Sequence, residues 1–213
     1  MAERIVIQKK LEEAIAVMKP GSAFTAADFS YLNDPDSVNK ALSRIAESGK
    51  IRRAMQGVYD IPMKITLLEE DCDPLIPQVA YAIARKNGWS IAPYGYTALY
   101  ELGIGKRPKT VWTYVSDGMA KDYVIGTQKI KIKTVKSREI SGKHPKSALV
   151  IQVIRTFGKE ITPEQIDAIS EHLTREEKMI LLEESMNVSA WIRKVVSQIA
   201  HFRIQKLNYD DPE

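Results

Sequence analysis

Three features of this 213-residue chain predict an α+β fold in two parts. Residues 25–59 hold two short helical patterns, a tight polar turn between them and a basic hairpin after them, the outline of an N-terminal winged helix-turn-helix. Residues 111–115 and 129–135 alternate apolar and polar, as strands do. From residue 146 onward, apolar residues recur at helical spacing. The expected organisation is a winged helix-turn-helix DNA-binding domain over 1–62 and a larger α+β domain over 63–213, with a small sheet and a helical C-terminal part.

The first helix is predicted from about Glu3 to Met18. Ile7, Leu11, Ala14, Ile15 and Met18 form its apolar stripe, and Pro20-Gly21 stops it. A second helix follows Thr25, a good N-cap, and ends near Leu32, where Asn33-Asp34-Pro35 supplies a turn. The third runs from Ser37 to Ser48, capped by Asp36 or Ser37, with Gly49 placed for a left-handed C-terminal residue. Val38, Ala41, Leu42 and Ile45 fall at i, i+3, i+4 and i+7. Lys40, Ser43, Arg44 and Glu47 repeat that spacing two residues later, about 200° around the helix, so they look away from the core. Lys50 to Tyr59 reads as two short strands around Gln56-Gly57, the wing. Pro62 and the run Glu69-Glu70-Asp71-Cys72-Asp73-Pro74 place a boundary near 63.

Beyond it, Leu75, Ile76, Val79, Ala80, Ile83 and Ala84 predict a helix ending at Asn87-Gly88, and Tyr96–Leu102 a short one closing at Gly103. Tyr123-Val124-Ile125 is a candidate strand beside the two named above. Helices are expected at about 146–157, 163–172, 174–185 and 188–208. In the last, Val188, Ile192, Val195, Ile199 and Phe202 form a stripe that reads first as core and second as a seat for a partner helix. Arg193 and Lys194 lie off that stripe.

Hydrophobic residues make up 44% and charged ones 27%, proportions that exclude wholesale disorder. The net charge of +4 leans toward an anionic partner. Its distribution is sharper: residues 37–58 hold five basic side chains against Glu47, residues 106–159 hold 13 basic and 3 acidic, and residues 160–184 reverse to 2 basic and 8 acidic. A single cysteine, Cys72, excludes an intrachain disulfide framework and fits a reducing compartment. No apolar run approaches 18 residues, and MAERIVIQKKLEEA lacks a signal-peptide core, so a cytoplasmic protein away from membranes is expected.

The third helix carries the candidate DNA-reading residues. Arg44 suits a bidentate contact to guanine O6/N7, Asn39 suits adenine, and Lys40 and Ser43 reach bases or phosphate, with Ser37 at the helix start. Lys50, Arg52 and Arg53 are expected on backbone phosphates, which position the domain without reading sequence. A second basic set lies in 106–159. Lys129, Lys131 and Lys133 share one side of a strand with Ile130 and Ile132 inward, and Arg107, Lys109, Lys121, Lys136 and Arg138 would enlarge the patch. A protected sheet edge explains the lysines as well as a functional basic face does.

No catalytic residue, metal ligand set or cofactor is expected, and the chain is read as a non-enzyme. His144, His172 and His201 stand alone, and Cys72 has no second thiol. Glu69, Glu70, Asp71 and Asp73 read as a solvated linker before a cation site. Gly103-Ile104-Gly105-Lys106 lacks the strand-to-helix context and full spacing of a phosphate loop.

Ser37-Val38, Ala41-Leu42-Ser43-Arg44, Gly49-Lys50-Ile51-Arg52-Arg53 and Gly57-Val58-Tyr59 carry a family likeness. Val79-Ala80, Ala82-Ile83-Ala84, Ile91-Ala92-Pro93, Ala98-Leu99, Leu102-Gly103 and Tyr114 to Gly118 continue it. Over about residues 20–150 the chain resembles AbiEi-type antitoxins, winged-helix autoregulators of bacterial type IV toxin–antitoxin systems. The acidic 160–184 segment departs from that pattern. The resemblance implies a repressor of its own operon that binds inverted repeats, and a second domain countering a nucleotidyltransferase-like toxin.

The expected mechanism is occlusion of the promoter by two copies on an inverted-repeat operator in double-stranded DNA. The rival expectations are an RNA-binding protein working through 106–159 and a protein-interaction module whose winged helix is a docking surface.

Overall fold

The computed structural model describes residues 2–65 and 70–207 and is α+β. Packing divides it into two compact units, residues 1–89 with 123–130, and residues 90–122 with 131–213. A boundary near 63 falls inside the first unit. The helix that follows Pro62 and the acidic run packs on the elements before them.

In the first unit, α1 (Ala2–Ala16) buries Ile7, Leu11 and Ile15, and β1 (Ala23–Phe24) follows. The second expected helix is a 3-10 helix, Ala26–Leu32. Thr25 and Asp28 close a capping box over its start, Phe29 leaves helical dihedrals inside it, and Asn33 ends it at φ 55°. Phe29 is buried edge-on to Phe24, with ring centroids 5.7 Å apart.

Helix α2 (Pro35–Glu47) starts two residues earlier than the sequence suggests. Asp34, not Asp36 or Ser37, is the cap: its Oδ1 accepts from the Ser37 amide at 3.0 Å. Pro35 fits the first helical position because it has no N–H to satisfy and its φ is already helical. Val38, Ala41, Leu42 and Ile45 are buried as the spacing predicts. Strands β2 (Arg52–Met55) and β3 (Val58–Asp60) pair antiparallel around Gln56-Gly57, with a register shift between Arg53 and Met55, and Gly57 has φ 73°. Strand β1 pairs on the other edge of β3, giving the order β1-β3-β2. The two-residue β1 escapes sequence reading because it is too short to show alternation. Ile7, Leu11, Phe24, Phe29, Val38, Leu42, Ile45, Ile51 and Tyr59 pack as one core.

Strands β4 (Lys64–Ile65) and β5 (Glu70–Asp71) pair antiparallel. Helix α3 (Ile76–Asn87) then packs on β1, β3 and the 3-10 helix. Arg85 fastens it, with Nε donating to Asp28 Oδ1 at 2.6 Å and Nη2 to the Ala23 carbonyl at 2.9 Å. The helix ends at Asn87-Gly88 as expected, and Gly88 caps it in the left-handed region.

The second unit opens with β6 (Ile91–Pro93) and α4 (Tyr96–Leu102). Strands β7 (Val111–Ser116), β8 (Lys121–Ile125) and β9 (Gln128–Thr134) form with β6 a four-stranded sheet in the order β6-β7-β9-β8, of which residues 123–130 group with the first unit. A 3-10 helix, Ser137–Glu139, leads into α5 (Pro145–Phe157), α6 (Pro163–Glu171), α7 (Arg175–Glu184) and α8 (Ala190–Leu207). Helix α5 is buried on nearly every side, and its Leu149, Val150, Ile151, Val153 and Ile154 join Ala98, Ile166, Ile169, Leu181, Ile192 and Ile199 in the main core. The α8 stripe is thus core, with Val188, Ile192, Val195 and Ile199 buried and Arg193 and Lys194 exposed. The Phe202 side chain lies outside the described residues. Among the described residues, no helix is long and apolar enough to cross a membrane.

Candidate nucleic-acid interface

Because one side of α2 is spent on the core, its other side is fixed. Asn39, Lys40 and Arg44 are exposed there, while Ser37 and Ser43 are half-buried. Asn39 Nδ2 donates to the Pro35 carbonyl at 2.9 Å, which holds the amide against its own helix. Ser37 serves the helix start: its hydroxyl and amide both donate to Asp34, holding that carboxyl below the usual aspartate range.

Arg44 reaches α1, with Nη1 donating to Gln8 Oε1 at 3.4 Å. Gln8 Nε2 donates to Glu12 Oε1 at 3.1 Å, and Lys50 Nζ meets Glu12 Oε2 at 2.9 Å. The hydrogen bonds from Lys50 and then Gln8 hold the Glu12 carboxyl below its ordinary value. Arg44 and Lys50 therefore border one surface network on α1. The Gln8–Arg44 bond is long, and Lys50 is well exposed in its pair, so both can be redirected at little cost.

Arg52 and Arg53 are neighbours in β2 with opposite fates. Arg52 donates to Asp60 Oδ1 from Nε at 3.0 Å and to Oδ2 from Nη2 at 2.6 Å, and Nη1 donates to the Cys72 carbonyl at 2.6 Å. Asp60 is buried, so Arg52 is tied into the fold; its expected phosphate contact is corrected to a structural ion pair. Strand alternation turns Arg53 to the other side, where it is exposed. Its Nη2 lies 2.9 Å from Ser43 Oγ and 3.0 Å from Tyr59 Oη, and its guanidinium sits 5.5 Å from the Tyr59 ring centroid. Ser43 on α2 and Arg53 on the hairpin are thus brought together.

The second basic set spreads over several elements. In β9, Ile130 and Ile132 are buried while Lys131 and Lys133 are exposed, which is the expected alternation; Lys129 is half-buried. Lys133 Nζ lies 5.4 Å from the Tyr94 ring and the Arg107 guanidinium 5.8 Å from the Trp112 ring. Lys109, Lys121, Lys136 and Arg138 are exposed, the last two at the 3-10 helix after β9.

The isolated histidines serve helices. His144 caps α5, and the Nδ1 atoms of His172 and His201 lie within 2.8 Å of the carbonyls four residues back. Cys72 is a free, half-buried thiol. Gly103 to Lys106 follows α4 as its terminating turn. Among the described residues, no group of three or more His, Cys, Asp or Glu could hold a metal ion. The side chains of Glu69, Glu70 and Asp71 lie outside the described residues.

Sequence reading missed Tyr59, Gln8 and Glu12 as parts of this surface. Gln8 and Glu12 were legible as an i, i+4 polar pair beside the α1 stripe. Tyr59 was legible only as the aromatic end of the hairpin, because its partners come from other elements.

The sequence model of DUF6088, described as a family of unknown function, matches residues 10–181. No curated protein matches the chain. Among solved structures, the crystal structure of the RV2827C protein from Mycobacterium tuberculosis aligns at 13% identity and a TM-score of 0.40, over 92% of this chain and 76% of that one.

Proposed function

The chain belongs to DUF6088, and we propose that it is a sequence-specific, double-stranded-DNA-binding transcriptional repressor. The element order of the first unit, helix, strand, 3-10 helix, helix and hairpin around the sheet β1-β3-β2, supports reading it as a winged helix-turn-helix. In that reading α2 enters the major groove and the β2–β3 hairpin is the wing. One observation carries the proposal: the outward face of α2, bearing Lys40 and Arg44, is continuous through Ser43 with the exposed Arg53 of the hairpin.

Arg44 is the base-reading residue, with Asn39 and Lys40 beside it. Lys50 and Arg53 hold phosphates. Two copies occupy an inverted repeat and exclude polymerase. No catalytic step is needed, and the proposed setting is the cytoplasm. The antitoxin role, in which the second unit counters a nucleotidyltransferase-like toxin, is proposed on the family resemblance alone.

The test is a mobility-shift titration of the full chain against duplex from upstream of its own gene and against random duplex. Specific binding should weaken steeply with salt. Arg44→Ala should cost about 1–3 kcal/mol on the specific site and relax discrimination there. Equal loss on both duplexes would refute base reading by Arg44. Preference for single-stranded or transfer RNA would favour the basic 106–159 region instead.

A further inference from the structure

Tyr59 is buried, yet its hydroxyl reaches the polar face of α2, 3.2 Å from Ser43 Oγ. Either hydroxyl can donate across that distance, but a buried phenol hydrogen needs an acceptor, and Ser43 Oγ lies within its reach. Tyr59 therefore donates to Ser43. The Ser43 oxygen also accepts from Arg53 Nη2 at 2.9 Å, so both of its lone pairs are filled. Its own hydrogen turns outward, next to the Arg53 guanidinium. Nη2 of Arg53 is shared between Ser43 and Tyr59, and the ring beneath it limits the remaining swing.

The result is an oriented pair of donors, Ser43 O–H and the remaining Arg53 N–H groups, carrying positive charge. Engagement of Nη2 disrupts the parallel fork that a guanine edge requires, whereas one anionic oxygen asks only for convergent donors. We propose that Tyr59 is a positioning residue that presets Ser43 and Arg53 as a donor site for one backbone phosphate of duplex DNA. This rests on the DNA-binding reading above. The ring of Tyr59 stacks on Phe24 at 6.4 Å, so Tyr59→Phe removes the hydroxyl while the packing stays.

The experiment measures full-chain affinity for the upstream duplex and a random duplex across a salt series, for wild type, Y59F, R53Q and Y59F/R53Q. Y59F should weaken both duplexes alike, by about 3- to 10-fold, with an unchanged salt slope because every charge remains. R53Q should lower the log–log slope by about 1. The double variant should lose less than the sum of the two single losses, since part of the effect of Tyr59 passes through Arg53. A merely structural tyrosine would instead add its cost in the R53Q background. Should Y59F fail to fold, Ser43→Ala, which removes the donor that Tyr59 orients, should likewise weaken both duplexes with an unchanged salt slope. Wild-type binding with Y59F unaffected, or with additive losses, would overturn the proposal alone. Failure of the wild type to bind duplex would overturn the DNA-binding reading and this site with it.

Discussion

Arg52→Ala separates an arginine that holds the fold from its neighbour Arg53, for which a phosphate contact is proposed. The Asp60 side chain is 1% exposed and receives two bonds from Arg52, while the same guanidinium satisfies the Cys72 carbonyl. Removing one partner of a buried ion pair costs about 3–5 kcal/mol, because the other charge stays desolvated. The Arg52 side chain is 27% exposed, so water reaches that side of the pair and the lower end applies, about 3 kcal/mol. With a urea slope of about 2 kcal/mol/M, the unfolding midpoint of the first unit should fall by about 1.5 M. Hydrogen exchange at the amides of α2 and β3, followed through a urea titration of the full chain, reads that unit directly. The apolar pair R52M/D60V should recover most of the loss, since no charge is left buried. A destabilisation under about 1 kcal/mol, the range of an exposed pair, would refute the reasoning. So would a double variant no better than R52A.

Three further outcomes are expected. The Asp34 carboxyl is held below its ordinary range in the folded chain, so its cap stabilises α2 above the unfolded-state pKa and loses that contribution as pH falls through the lowered folded value. The melting-temperature gap between wild type and Asp34→Ala should be widest near neutral pH and close in acid; a constant gap would contradict the cap. Gly57→Ala forces a side chain onto φ 73° and puts Cβ 2.6 Å from Lys86 Nζ. The lysine end can swing away, leaving a backbone cost of about 1–2 kcal/mol, seen as a lower melting temperature. The Gln152 amide is fully buried, and neither of its polar atoms has a partner among the described residues. Gln152→Leu should stabilise the chain by about 1 kcal/mol in calorimetry; a loss would point to a trapped water serving the amide.

Much of the local structure was legible in the residues. The burial of Val38, Ala41, Leu42 and Ile45 followed from helical spacing, and that of Ile130 and Ile132 between lysines from strand alternation. The hairpin turn followed from Gln56-Gly57. Reading failed where competition is local. Asp34, Asp36 and Ser37 are all good caps, and only the backbone path through Pro35 selects the first. Thr25–Leu32 has helical composition, yet seven residues carrying a buried Phe29 settle into the tighter 3-10 form. A proline and a run of carboxylates end a local element without ending a core, so packing in the first unit continues past them.

Sequence determined which faces of each helix and strand are apolar, where charge accumulates, and hence the α+β class and the cationic face of α2. Tertiary structure alone decided what each charge does. Arg52 and Arg53 are adjacent and chemically identical, yet one is bound to Asp60 and the other lies exposed on the Tyr59 ring. Periodicity is a property of neighbours a few residues apart, whereas an arginine's partner is chosen by where β3, α2 and the Cys72 segment happen to pass. Those meetings are set by packing of the whole core, which no short pattern in the chain records.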